Sequence, residues 1–301
     1  MKKQKIGFNT RRENLWGWIL IMPLTLGLSL WVIFPMGLSF VTSLTNWDMI
    51  SAPRFVGFDN YIKLFMENEL FLKSVKVTLY YTLVSVPFQL IIALLISLLL
   101  NSRIRFVGVF RTIYYLPSLI PIVVTSIMWL WLYNHQYGLL NTMLTGIGLG
   151  KIQWINSQEM VIPSMIIMSI WGVGNIVVIF LAGLQGIPRT LLEAVEIDGG
   201  TAWHSFRHVV IPLLSPVILY NLIIGMIKSL QLFTEPYIMT GGGPMNASLS
   251  FMLNIYNHAF KYSKMGMANA LAWILFIVTL LLSIVIFKTS LRWTYYEGDR
   301  K

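Results

Sequence analysis

Along this chain, long runs of apolar residues alternate with short polar joints. Six runs reach the roughly twenty residues that a helix needs to cross a hydrocarbon layer about 30 Å thick. They fall at about 17–43, 75–100, 112–133, 161–184, 217–239 and 266–288. Each run is continuous rather than alternating with a period of two, so the pattern predicts helices and not barrel strands. Prolines stand inside or at the edges of the runs, at Pro23, Pro35, Pro87, Pro117, Pro121 and Pro163. Bundled membrane helices tolerate them, because neighbouring helices re-satisfy the carbonyls that proline frees. The first run is far longer than the core of a signal peptide and has no small-residue cleavage site, so it is kept as a span.

The expected fold is all-α and integral to the membrane, with six spanning helices. Its order is a segment 1–16, a first span 17–43, an outer loop 44–74 and a five-helix core 75–288, then a tail 289–301. A hydrophilic loop at 185–215 interrupts the core between the fourth and fifth spans. In the outer loops, Asn60-Tyr61-Ile62-Lys63-Leu64-Phe65 has the pattern of a short amphipathic helix.

Composition agrees with a membrane chain. Of 301 residues 56% are hydrophobic and 11% charged, and the mean hydropathy is +0.70. Soluble domains carry about 25% charged residues. A net charge of +10 suggests nucleic acid at first sight. The basic residues, however, sit in short clusters beside apolar runs, so the lipid bilayer and not nucleic acid is the expected partner. Lys2, Lys3, Lys5, Arg11, Arg12, Arg103, Arg105, Arg111, Arg189, Arg207, Lys288, Arg292, Arg300 and Lys301 fall on one side. Arg54, Lys63, Lys73, Lys76, Lys151, Lys261 and Lys264 fall on the other. The longer list marks the cytoplasmic side, which places both termini and the loop 185–215 there. The absence of cysteine excludes disulfides, thiolate catalysis and zinc–thiolate sites.

The loop 185–215 is charged and helix-forming in a chain that otherwise avoids charge. Leu191 to Ile197 reads as a short helix, with Pro188 before it and Gly199-Gly200 as its stop. Glu193 and Ile197 share one face, as do Ala194 and Asp198. Glu193, Glu196 and Asp198 offer acceptors, and Ala194 admits a close partner backbone. Thr201 caps a second helix holding Trp203, Phe206 and Val210 that is expected to end near Pro212. Two short helices joined at glycines make a protruding elbow, loosened by the glycine pair.

These residues resemble a known family. Glu193, Ala194, Gly199, Val209, Ile211 and Pro212 have the spacing of the cytoplasmic loop of ABC importer permeases. Phe55-Val56-Gly57-Phe58-Asp59-Asn60-Tyr61 is similar to the first outer loop of the sugar-permease branch. Phe110-Arg111-Thr112 with Leu116-Pro117, Tyr137-Gly138-Leu139-Leu140-Asn141 and Thr240-Gly241-Gly242-Gly243-Pro244 resemble its later motifs, in order. Two positions depart: Val195 stands where the pattern usually has Ala, and Gly200 where Ala is common. The resemblance implies the type I ABC importer permease fold, a coupling helix docked on a separate ATPase, and no cofactor on this chain. ATP and Mg are then held by an ATPase dimer. The implied partners are a second, homologous permease and an extracytoplasmic solute-binding protein, in a bacterial cytoplasmic (inner) membrane. The implied solute is a sugar or oligosaccharide.

The residues agree that ATP is handled elsewhere. A phosphate-cradling loop needs Gly-x-x-x-x-Gly-Lys-Ser/Thr. From Gly146 to Lys151 the gap is one residue short, and Ile152 replaces the hydroxyl. An intramembrane enzyme is disfavoured too, since no Asp lies in a span and no His-Glu-x-x-His or Gly-x-Ser-x-Gly occurs. His204 and His208 have helical metal spacing but lack the intervening Glu of a zinc hydrolase, so no metal is expected.

Polar residues inside the apolar runs mark the expected pathway. Asn221, Lys228 and Glu235 recur every seven residues on the fifth span and nearly superimpose on one face. A lysine at mid-span costs about 2.5–3.5 kcal/mol on insertion scales, so the stripe must face the bundle interior or a water-filled cavity. Lys228 is a structural cation paired with a carboxylate, for which Glu235 is the candidate, or with a carbonyl; or it donates to substrate, in which case an acidic saccharide fits. A proton relay is disfavoured because no Asp or Glu is buried at comparable depth elsewhere. Gln231 lies beside the stripe. Gln89 and Asn175 are weaker interior candidates, and the glycines around Asn175 point first to close helix packing. Trp129 and Trp171 offer faces to a sugar ring. A secondary transporter driven by an ion gradient is the alternative, but it needs paired ionisable residues at the midplane in repeated halves, and only Lys228 is central.

Overall fold

The computed structural model describes residues 8–102 and 105–295, with side chains from residue 12 onward. Lys2, Lys3, Lys5, Arg103, Arg300 and Lys301, and the side chain of Arg11, lie outside the described residues. Among those described, four helices are long and apolar enough to cross a membrane alone: Arg12–Ser43, Glu69–Asn101, Ala202–Met239 and Met265–Ser290. Counting each of two bent pairs as one span gives six. The all-α expectation holds, and the apolar runs fall on these helices.

The third and fourth spans are broken rather than straight. Val107–Leu119 and Ile122–Leu132 meet at 100°. Pro117 sits in the tight 3-10 turn Leu116–Leu119. Pro121 then excludes helical backbone at Ile120, which is extended with ψ at 129°, and the next arm starts at Ile122. Val161–Trp171 and Gly174–Gln185 meet at 48°. A Cβ on Gly174 would stand 2.5 Å from the Tyr114 carbonyl oxygen and 3.0 Å from Ser118 Oγ, so its lack of a side chain lets the fourth span touch the third. The close-packing expectation therefore holds at Gly174.

The fifth span departs most from expectation. The second elbow helix does not stop near Pro212; it starts at Ala202 and continues into the span as Ile211–Leu230. Pro212 lacks the N–H that His208 would need in an α-helix, and the backbone absorbs this by widening to a π turn over Phe206–Val210. Pro216 likewise deprives Pro212 of a donor, and Ser215 Oγ donates to that carbonyl at 2.6 Å. Pro236 deprives Leu232. Here the helix breaks over residues 231–233, Ser250 Oγ donates to the Leu232 carbonyl at 2.5 Å, and a new helix runs from Thr234 to Met239. Asn221 and Lys228 thus share one helix, but Glu235 stands on another.

Glu69–Asn101 is the central helix. Its Ala93 and Leu100 join Val177, Phe180 and Leu214 in one core cluster, while Val77 and Tyr81 join Trp129, Tyr133 and Met165 in a second. The first span contributes little burial and is tied to the last through Asn269 Nδ2 donating to Thr42 Oγ1 (2.6 Å) and Trp273 Nε1 to Ser39 Oγ (3.1 Å). The expected amphipathic piece is the helix Asp59–Met66, with Leu64 buried and Asn60 Nδ2 donating to the carbonyls of Ser43 (2.8 Å) and Thr45 (2.9 Å).

Candidate functional site

The elbow begins with the helix Arg189–Ile197, none of whose residues is buried. Glu193, Ala194, Glu196 and Asp198 are all exposed. So are the large apolar side chains Ile197, at 85%, and Trp203, at 62%. An amphipathic helix with acceptors and uncovered apolar area is a surface suited to a protein partner. The helix ends in a hydrogen-bonded motif, not a loose joint. Gly199 takes the left-handed conformation at φ +75°, Gly199 N–H donates to Glu196 O (3.1 Å) and Gly200 N–H to Val195 O (2.8 Å). A Cβ on Gly200 would lie only 2.4 Å from Val195 Cγ1. The two departures from the family pattern therefore compensate: the extra bulk at 195 occupies the volume left by the glycine at 200. This corrects the expectation that the glycine pair loosens the elbow. Thr201 heads the second helix as expected, with its backbone N–H donating to His204 Nδ1 at 3.2 Å. His208 Nδ1 donates to the His204 carbonyl at 3.2 Å.

The second constellation is a cavity of about 500 Å³ bounded by the second, third, fourth and fifth spans. Asn175, Asn221, Lys228, Gln231 and Glu235 all line it, together with Gln89 and Trp171. The broken spans build this convergence. The break at 231–233 turns Gln231 and Glu235 into the cavity, and the break before Gly174 brings Asn175 Oδ1 to 3.4 Å from Ser118 Oγ, which donates to it. Asn221 is buried and donates to the Val217 carbonyl at 2.9 Å; Gln89 Nε2 donates to Ser169 Oγ at 2.9 Å. Trp171 faces the cavity, whereas Trp129 is buried behind it, with ring centroids 6.3 Å apart.

Lys228 differs from expectation in two ways. It occupies the last turn of Ile211–Leu230 rather than the middle of an unbroken span, and free carbonyls at a helix C-terminus favour a cation. It also has no carboxylate within 4.0 Å: among the described residues the one ion pair is Lys63–Asp59, at 2.6 Å. Glu235 shares its cavity without pairing to it, so the candidate carboxylate partner is not within ion-pair distance. The cavity thus presents a cation, a carboxylate, amides, hydroxyls and an indole face, a lining suited to a polyhydroxylated solute. Ser118, Tyr81, Tyr220 and Phe233 also line it and were not singled out from sequence. Among the described residues no cluster of three or more metal-ligating side chains occurs.

One matched motif is structural. Asn141 is fully buried; its Oδ1 accepts from Ile152 N–H (3.0 Å) and Trp154 Nε1 (3.1 Å), and its Nδ2 donates to Ile152 O (2.9 Å).

Residues 89–292 match the family described as "Binding-protein-dependent transport system inner membrane component". The probable ABC transporter permease protein YesP of Bacillus subtilis (strain 168) is 36% identical over 305 residues, spanning 100% of this chain and 97% of that protein. The trehalose/maltose transport system permease protein MalF of Thermococcus litoralis is 32% identical over 281 residues, spanning 93% and 95%. A chain of a bacterial alginate ABC transporter, solved in complex with alginate pentasaccharide-bound periplasmic protein, superposes with a TM-score of 0.84. That match covers 96% of this chain and 98% of the other at 22% identity, and shows a shared fold. The chain belongs to the family of binding-protein-dependent transport system inner-membrane components, and is a multi-pass, non-enzymatic permease subunit of an ABC importer with the type I fold.

Proposed function

We propose that this chain forms half of the translocation pathway for a sugar or oligosaccharide, with the 500 Å³ cavity as its solute site and residues 185–215 as its coupling loop. The convergence of Asn175, Asn221, Lys228, Gln231 and Glu235 on one cavity carries the proposal. Polar side chains in apolar spans are costly unless they face one another or a solute. The names of its relatives support a saccharide, since MalF serves trehalose and maltose and the structural neighbour serves alginate. Lys228, with no carboxylate of the described residues within 4.0 Å, favours an acidic saccharide, whose carboxylate it would receive.

In this proposal the chain sits in a bacterial cytoplasmic membrane with both termini inside, beside a second homologous permease. An ATPase dimer holding ATP and Mg grips the exposed faces of Glu193, Ala194, Glu196 and Asp198, and a solute-binding protein delivers cargo outside. Closure of the ATPase dimer draws the elbows together. Because Ala202 to Leu230 runs on from the elbow to Lys228 as helix, displacement at the loop reaches the cavity wall directly. The spans then rearrange between two discrete states, outward-open and inward-open.

Reconstitution tests this. Proteoliposomes holding both permeases, the ATPase and the binding protein should import labelled oligosaccharide only with ATP. Import driven by an ion gradient without the ATPase would instead establish a secondary transporter.

A further inference from the structure

The cavity connects to a second recess through a continuous set of aromatic rings. Phe233 lines the cavity and stacks on Tyr237 at 5.2 Å with planes 15° apart. Tyr256 lies 5.2 Å from both of these rings, and Phe260 lies 5.1 Å from Tyr256. Tyr237, Tyr256 and Phe260, with Asn257 and Lys261, line a separate recess of about 310 Å³. Two of its rings are uncovered, Phe260 being 63% and Tyr237 45% exposed, and Tyr256 is half-buried between them. The segment carrying Tyr256 and Phe260 falls between the apolar runs 217–239 and 266–288, and its Lys261 and Lys264 belong to the side expected to be outer.

We infer that Phe233, Tyr237, Tyr256 and Phe260 form a saccharide track that receives sugar rings in the outer recess and passes them to the cavity. The inference rests on the import function proposed above and adds a site to it. Flat apolar faces with polar edges suit the alternating C–H and hydroxyl surfaces of a pyranose. Contact through ring faces is tolerant of register, so a chain of sugars slides from one ring to the next without breaking fixed hydrogen bonds. A cation stands at each end, Lys261 in the recess and Lys228 in the cavity, which matches a uronic acid oligomer better than a neutral one. Aromatic residues also anchor proteins at membrane interfaces, and the two roles respond differently to substitution.

The test uses the fully reconstituted complex with a labelled oligouronate. Phe260→Leu and Tyr237→Leu retain apolar bulk but remove the ring face, while Phe260→Trp keeps it. The track predicts an apparent KM raised about threefold to tenfold in each Leu variant. It also predicts unchanged subunit co-purification, unchanged ATPase turnover with saturating loaded binding protein, and near-normal KM for Phe260→Trp. Saturation-transfer NMR on the detergent-solubilised complex gives a readout independent of turnover: aromatic protons should relay magnetisation to the sugar, and the Leu variants should weaken the effect. Leu variants that match wild type in both KM and saturation transfer overturn the track and leave an anchoring role. If the wild-type complex imports no sugar yet shows transfer that the Leu variants lose, the transport function fails and the site stands.

Discussion

Gly200→Ala tests how the elbow is built. The new Cβ would lie 2.4 Å from Val195 Cγ1 and 2.9 Å from the Val195 carbonyl oxygen, where ordinary contact begins at 3.4 Å. Val195 must retreat by about 1 Å, yet a β-branched side chain in a helix has essentially one rotamer to occupy. Overpacking of this kind costs about 1–3 kcal/mol. Val195→Ala alone removes little, because the side chain is only half-buried. Combining the two changes removes the 2.4 Å Cγ1 clash and leaves the 2.9 Å contact with the Val195 carbonyl oxygen, so part of the loss should be recovered. Hydrogen exchange at the amides of Asp198, Gly199 and Gly200, which close the helix end, reads this directly. Gly200→Ala should speed their exchange by roughly 5- to 30-fold, the factor equivalent to one or two kcal/mol. ATP-dependent uptake should fall in parallel, and Val195→Ala/Gly200→Ala should restore both in part. A double variant no better than Gly200→Ala alone would refute the compensation.

Three further outcomes follow from the same geometry. Lys228→Ala should raise KM for an acidic oligosaccharide about tenfold to a hundredfold, the range for losing a hydrogen bond to a charged group, while co-purification stays intact; failure to assemble would make Lys228 structural. Gly174→Ala should drive a Cβ into the Tyr114 carbonyl and destabilise the contact between the third and fourth spans by about 1–3 kcal/mol, seen as a lower melting temperature of the purified complex. His258 lies outside the spans, where burial and then the charge of Lys264 hold its pKa below 6.5 against the opposing bond from Nδ1 to the Asn254 carbonyl. Since the unfolded state binds the proton more readily, stability should be full above pH 6.5 and fall as pH drops below it, levelling off below the folded pKa. His258→Gln should flatten that dependence in a thermal-shift series.

Much of the fold was legible because a continuous apolar run of twenty or more residues has few destinations besides a membrane-spanning helix. The cavity residues were legible for a related reason: an amide or charge within such a run must find an interior. All five proposed residues therefore reach one cavity, although the straight stripe assumed for three of them is wrong. The breaks carried a weaker signal. Pro117, Pro121 and Pro236 are the same residue type as Pro212 and Pro216, through which helix continues, and a serine hydroxyl takes the freed carbonyl of Pro212 and of Leu232 alike, so residue type does not separate a break from a continuation. Tyr81, Tyr220 and Phe233 gave no signal, since aromatic residues are ordinary in spans and nothing in the sequence says which of them face a cavity. The match of Val195 to Gly200 needed the distance between them.

In the proposed transport cycle an external ATPase works this permease through the elbow. The chain lacks cysteine, so Glu193→Cys places a single thiol on the exposed helix Arg189–Ile197 without further engineering. A cross-linker reactive to a thiol at one end and to amines at the other, applied to the assembled transporter, should join Glu193→Cys to a lysine of the ATPase subunit, in a yield that changes on adding ATP. A thiol that reacts freely with solvent reagents in the intact complex and never joins the ATPase would rule out coupling through the elbow.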